Sequence, residues 1–526
     1  MGSPRQSPLR RLFRRLRRAP VFAPPYRRSI YWWAGTRTLL MLWALNYVPY
    51  FSRGAVLGDV VTYSNWSSIM VHGSFPASDP EWQYPPAAAL VMLFPKILAA
   101  TGIGYIDSFF IFALIADFAV LALLVGQADR ISRQTAGPGQ TAGTPYLAGV
   151  WAWVLGGFAL GPILFMRYDV IVTALAVGGM VYTVRSTAKR GAERAESRTW
   201  LVRGALLGLG AVVKVWPVVL LLGAPPAKRG RRTLTWAVIS AAGISAVLAV
   251  SLNGALSFVS KQGGRGIEVE SVLASPFMMA AWFGYPAQTV HEFGNFQISG
   301  PGADLVGGAA IFLTLLGFAA VLWWRLRRMR PESWTPALMY DVGFTTLLIM
   351  VVTSRVLSPQ YLVWLIGTAA LCLAEHGPGR RATLMYKPAM IVMGCTLVSQ
   401  VEFPLLFGEV MYHGFWGTAL VAARNTALVV ATVMAMRALW RSTKHSSDSD
   451  TGPSTITGSG LRGAEPVEAG GAPTADGAAG IEAGVAVSIP APSPGGSDLA
   501  DPVGASGASG PSLAASVPPG TSVGKH

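Results

Sequence analysis

From about residue 31 to residue 440 the chain alternates long, almost charge-free apolar runs with short loops in which arginine and lysine collect. A run of about 20 apolar residues, rising about 1.5 Å per residue in a helix, crosses a hydrocarbon core about 30 Å thick. Lipid offers no partner to a backbone N–H or C=O, so each run must close its hydrogen bonds internally. The implied fold class is an all-α polytopic membrane protein. Composition excludes the soluble alternative, since 52% of the 526 residues are hydrophobic and only 13% are charged. A net charge of +16 would suggest nucleic acid in a soluble chain, but here the basic residues mark the cytoplasmic loops of a membrane protein, and no nucleic-acid partner is expected.

Charge parity then sets the topology. Residues 1–30 hold nine arginines and no acid, and no signal-type apolar stretch precedes the first long run, so this basic N-terminal segment is expected to stay uncleaved in the cytoplasm, where anionic head groups are a further contact open to it. The first span runs from Tyr31-Trp32-Trp33 to Phe51. Others are expected at 108–126, 146–165, 170–184, 234–252, 304–324, 336–353, 360–374, 386–401 and 415–437. Residues 201–224, broken by Lys214 and Pro217, read as two short helices meeting near the outer face. The segment 87–100 is assigned to a re-entrant or surface helix, because counting it as a crossing would put the basic stretch 185–203 outside. The result is about 12 transmembrane helices with both termini cytoplasmic. Segments 53–103, 166–169, 253–303, 354–359 and 402–414 fall on the extracytoplasmic side. Residues 445–526, rich in Gly, Ala, Pro and Ser and without an aromatic residue, cannot bury enough apolar surface to offset their ordering entropy and are expected to form a disordered cytoplasmic tail. No internal repeat is evident in the spans, which disfavours a transporter built from duplicated halves.

The polar stretch 58–86 is the exception in this apolar chain. Between Asp59 and His72 the apolar residues Val60, Tyr63, Trp66, Ile69 and Met70 recur every three or four positions, the pattern of an amphipathic helix on the outer leaflet. Asp59 heads it, either as an N-cap or as a carboxylate placed to take a proton from an attacking hydroxyl. Tyr84-Pro85-Pro86 sets the angle of the next helix. In Arg167-Tyr168-Asp169 a local ion pair competes with a functional role. Lys214 must snorkel or meet an anion. Arg265, Glu268 and Glu270 lie in a flexible polar outer loop, where a solvated charge cluster is the plain alternative. In Ser354-Arg355-Val356-Leu357-Ser358-Pro359-Gln360-Tyr361 the arginine suits either interfacial anchoring or bidentate capture of phosphate oxygens. Cys372 and Cys395 sit in apolar surroundings, and His72, His291 and His413 lack metal-ligand spacing. Asp59 together with Arg167, Lys214 and Arg355 on one membrane face fits transfer of a group from a lipid phosphate.

Gly58-Asp59 with Tyr63, Tyr84-Pro85-Pro86, the run Gly208 to Pro217 that contains Lys214, and Ser354 to Tyr361 resemble the GT-C superfamily of membrane glycosyltransferases, and within it the polyprenyl-phosphate-mannose-dependent enzymes of glycosyltransferase family 87. The resemblance spans roughly residues 33–440 and implies a GT-C-like transmembrane glycosyltransferase domain over 31–440, with helices in its extracytoplasmic loops. It implies an extracytoplasmic active site that transfers a sugar, mannose, with inversion from a polyprenyl-phosphate donor to a hydroxyl of a glycan or glycolipid acceptor, needing no metal or other cofactor. Asp59 takes the place of the family's catalytic base. Lys214, Arg355 and Arg167 are assigned to the donor phosphate, and Tyr63, Tyr84, Asp169, Arg265, Glu270 and Gln360 to substrate contacts. Members often carry Gln or Asn where this chain has Arg167-Tyr168-Asp169, a departure that bears on the sugar. A lipid-linked sugar flippase, motivated by Lys214 and Asp169, and a scaffold that recruits partners through its tail are the competing readings.

Overall fold

The computed structural model describes residues 20–47, 53–136, 146–183, 189–260, 266–377 and 380–442. The first 19 residues of the predicted basic segment, Arg265 and the predicted tail lie outside the described residues.

The body is helical, as its hydropathy demands. In chain order, α1 is Arg27–Ala44, α2 Arg53–Val71, α3 Ala88–Ala99, α4 Tyr105–Thr135, α5 Ala148–Leu160, α6 Asp169–Val181, α7 Lys189–Val213 and α8 Ala227–Ser251. The short helix α9 is Ser275–Ala281, followed by α10 Ala303–Arg328, α11 Pro336–Thr353, α12 Tyr361–Ala374, α13 Tyr386–Gln400, α14 Phe407–Met411 and α15 Phe415–Ser442. Among the described residues 6 helical segments are long and apolar enough to cross a bilayer, fewer than the twelve expected. The shortfall has a local cause. Helices α5, α6 and α12 reach only 13, 13 and 14 residues, because Gly161-Pro162, the Arg167–Asp169 turn and Pro359 interrupt them. At 12 residues, α3 is about 18 Å long and falls with α5, α6 and α12 among the shorter apolar helices.

Two boundaries differ from expectation. Residues 189–203, expected as a basic loop, form the first turns of α7, whose Ala, Glu, Arg and Leu content favours helix. The predicted break near Lys214 is present, but the chain continues as a 3-10 helix, Trp216–Gly223, with Pro217 in its first turn. Helix α7 packs closely on α8 because it offers glycine: a Cβ on Gly204 would stand 2.3 Å from the Thr233 carbonyl oxygen, and one on Gly208 2.2 Å from that of Ala237. Within the bundle Arg37 and Asp117 form a fully buried bidentate pair at 3.0 and 3.1 Å, and the Val154 carbonyl accepts a further Arg37 bond at 2.7 Å.

Outside the helical bundle, residues 266–271 of the expected flexible loop begin a small sheet. Strands β1 (Ile267–Glu268), β2 (Gln288–Glu292) and β3 (Asn295–Ser299) form an antiparallel sheet in the order β1-β3-β2, with Ile267 opposite Ile298 and Val290 opposite Gln297. Phe293 and Gly294, both at positive φ, make the tight β2–β3 connection. Ile267, Val269, Met278 and Ile298 form a small separate core with Val410 and Val421. Backbone bonds from Phe75 to Asn253 (2.8 Å) and from Asn253 to Gly73 (3.0 Å) tie this outer layer to the segment after α2.

Candidate active site

The stretch 58–86 is anchored by aromatic packing. Val60, Tyr63, Trp66 and Met70 are buried as their spacing requires, whereas Ile69 is exposed. The buried face meets protein, not lipid: Tyr63 packs on Phe109 and Tyr168 with ring centroids 5.7 and 5.6 Å apart, and Trp66 on Trp82 and Tyr84 at 5.2 and 5.7 Å. The leaflet-surface placement of this face is thereby corrected. So is the N-cap alternative for Asp59. Helix α2 begins at Arg53, six residues earlier, and its interior holds Asp59.

The turn between α5 and α6 divides its two charges, correcting the local ion pair. Arg167 pairs with Asp59. Asp169, first residue of α6, accepts from Lys214 Nζ at 2.7 Å and from Trp364 Nε1 at 2.5 Å. Lys214 sits in an aromatic box, its Nζ 5.1, 5.2 and 5.0 Å from the ring centroids of Tyr168, Tyr361 and Trp364, and Trp216 stacks on Trp364. Snorkelling to head groups is therefore replaced by an ion pair and cation–π contacts.

A cavity of about 720 Å³ joins these groups. Asp59, Tyr63, Tyr84 and Arg167 line it from one set of segments, and Lys214, Arg355, Gln360 and Glu270 from others. Asp169 is held behind Lys214, and Arg265 lies outside the described residues. Three cationic side chains and the Asp59 carboxylate thus share one chamber. Burial, with Tyr84 next, pushes the phenols of Tyr63 and Tyr168 well above their usual range, so both stay protonated and cannot act as bases near neutral pH. Burial, the largest single influence, would lower the Arg167 pKa, but Asp59, Tyr63, Tyr84 and Asp169 together outweigh it and the guanidinium stays charged.

Several lining residues were not foreseen. Glu81 and Gln83 belong to the polar stretch yet carry no spacing that marks them, and burial followed by the charge of Asp79 raises the Glu81 pKa. Trp216 and Trp364 read as apolar filler, although Tyr361 and Trp364 at helical spacing were a usable sign of one shared face. Glu268 and Glu270 are buried, which removes the solvated-cluster alternative for them. Glu268 Oε1 accepts from Ser358 Oγ at 2.7 Å, a pairing of residues ninety positions apart that spacing could not show.

Residues 82–354 match the profile of glycosyltransferase family 87, more than half of the chain. The chain belongs to glycosyltransferase family 87. The matched stretch includes Arg167, Lys214 and Glu270, while Asp59 and Arg355 lie outside it. No curated protein matches. Among solved structures, ArnT from Cupriavidus metallidurans is similar at 12% identity and a TM-score of 0.36, both bound to undecaprenyl phosphate and in the apo state. Each comparison covers 74% of this chain, and 74% and 73% of the respective ArnT chains. As a family 87 member the protein is a glycosyltransferase, and its apolar helices make it a multi-pass membrane enzyme.

Proposed function

We propose that this enzyme transfers a sugar, mannose, from a polyprenyl-phosphate donor to a hydroxyl of a glycan or glycolipid acceptor on the extracytoplasmic face, with inversion at the anomeric carbon. The observation that carries the reading is the shared cavity, which sets Asp59 beside Arg167 and in one chamber with Lys214 and Arg355. The acceptor oxygen forms its bond to C1 as the bond from C1 to the phosphate oxygen breaks; the acceptor proton passes to Asp59, and polyprenyl phosphate leaves. Arg167, Lys214 and Arg355 bind the donor phosphate and stabilise the charge it gains on leaving. Aromatic rings at Tyr63 and Tyr84 offer a face to the sugar, and the Gln360 amide can both donate to and accept from its hydroxyls.

Purified protein incubated with radiolabelled polyprenyl-phosphate mannose and extracted envelope lipids should yield a labelled product. Polyprenyl-phosphate glucose and arabinose in parallel test the sugar. Asp59→Asn should lower transfer by about 10²- to 10⁴-fold with expression intact, the usual range for a lost general base. Parental transfer by that variant overturns the base assignment. Lys214→Ala and Arg355→Ala should act mainly on donor KM.

A further inference from the structure

The segment from Gly266 to Ser271 is fastened on three sides. From α15, Arg424 Nη2 donates to the Glu270 carbonyl at 2.6 Å, and Asn425 Nδ2 donates to the carbonyls of Glu270 and Ser271 at 3.1 and 3.0 Å. From the turn before α12, the Arg355 carbonyl accepts from the Glu268 amide at 2.9 Å, and Ser358 holds the Glu268 carboxylate. From β3, the Phe296 carbonyl accepts from the Val269 amide at 3.0 Å. A backbone held this way fixes where its side chains point, and Glu268 and Glu270 both line the cavity.

Charge does not balance behind Glu270. Arg424, fully buried, lies 2.9 Å from Glu402 Oε2 and 3.5 Å from Glu270 Oε1. The groups facing Glu270 are Glu268 from its own segment, Glu402 from the irregular turn Val401–Leu405, and Arg424 from α15; the other Arg424 partners, Ser399 and Asn425, are neutral. One guanidinium therefore meets at least two carboxyl groups out of water, where an uncompensated second charge is strongly disfavoured. Oε1 of Glu270 and Oε1 of Glu402 are also oxygens that accept no hydrogen bond, although both carboxyl groups converge on the same nitrogen, Arg424 Nη1. A single proton between them answers both observations. Burial, then the charge of Glu402, pushes the Glu270 carboxyl well above its usual range despite Arg424.

Building on the glycosyltransferase reading above, we infer that Glu270 and Glu402 share one proton on Arg424, and that Glu270 with Glu268 forms a wall of the cavity that hydrogen-bonds the hydroxyls of an uncharged sugar. Acidic groups repel a phosphate or a uronate, whereas a hydroxyl both donates and accepts. The cations take the phosphate and this wall takes the ring. The ring is the donor hexose or the terminal sugar of the acceptor, and kinetics with each varied in turn tell them apart.

Infrared spectroscopy of the full-length protein reads the proton without any turnover. A carboxylic-acid carbonyl band that shifts in heavy water should be present in the parent, lost in Glu270→Gln and in Glu402→Gln, and retained in Asp59→Asn. In the transfer assay Glu270→Ala should raise KM for the substrate whose ring is bound by about tenfold to a hundredfold. Glu270→Gln should lose less, and should lack the fall in activity that deprotonation of Glu270 gives the parent on the alkaline side; a purely structural role would leave that limb in place. Identical infrared spectra and identical alkaline limbs in parent and Glu270→Gln overturn the inference. If Glu270→Gln does not fold, Glu402→Gln supplies the same comparison. The band without transfer from any polyprenyl-phosphate sugar refutes the proposed activity and leaves the shared proton standing; transfer without the band does the reverse.

Discussion

At the scale of single residues, the cavity is organised by ion pairs whose partners are far apart in sequence. Lys214 and Asp169 pair at 2.7 Å, with the lysine side chain 16% exposed and the aspartate 2%. Removing one member leaves a charge without compensation, which for a buried pair costs about 3–5 kcal/mol, and about 2–4 kcal/mol here after allowing for solvent at the lysine. Lys214→Met alone should therefore lower thermal stability in detergent, and Lys214→Met/Asp169→Asn should recover most of it. The double variant should still transfer poorly, and parental donor kinetics in it would remove Lys214 from the donor site. Glu270 supplies a pH dependence of stability. Its folded pKa lies above the usual 4.5, so between those values the native state binds more protons than the unfolded one, and stability falls as pH rises through that window. Thermal inactivation followed across this range should show a slope that Glu270→Gln flattens.

At the scale of elements, helix contacts rest on particular glycines. Any side chain at Gly208 meets the backbone of Ala237, so Gly208→Val should push α8 away and destabilise the protein by about 1–3 kcal/mol, seen as a lower melting temperature and a lower detergent-extracted yield. Gly243, on α8, has no atom within 4 Å of an added Cβ. Gly243→Ala should be neutral or stabilising by up to about 1 kcal/mol, since alanine is the better helix former. If both substitutions behave alike, close approach is not what Gly208 provides. The short helices α6 and α12 place Asp169 and Tyr361 at their first positions, which is how interruptions in apolar segments come to carry Tyr361 to the cavity wall and Asp169 to the lysine behind which it sits.

At the scale of the whole molecule, the positions of basic loops predict which surface faces which compartment. Tyr412 is exposed on the predicted outer side, Glu332 is exposed beside the basic end of α10, and Cys372 and Cys395 are buried, so background thiol labelling should be low. In intact cells a membrane-impermeant thiol reagent should label Tyr412→Cys, and should reach Glu332→Cys only after lysis; the opposite pattern inverts the topology. Deleting residues 445–526 should leave transfer unchanged, whereas loss of transfer with the membrane body intact would favour the scaffold reading.

Membrane residence, the order of apolar segments and the break at Lys214 were all legible in the chain itself. Transfer to lipid is close to a sum of residue contributions along a run, and a proline or lysine interrupts its own helix wherever the rest of the chain lies. Pairing is another matter. Arg167 and Asp169 stand two positions apart, yet one finds Asp59 and the other Lys214; Glu270 finds Arg424 and Glu402 across more than a hundred residues. The faces of α2 were readable from periodicity, but whether protein or lipid covered them was not, and neither was the sheet that buries Glu268 and Glu270. Those outcomes depend on which distant segments pack together, because the partner of a buried charge is fixed by the assembled helices and loops and not by its neighbours in sequence.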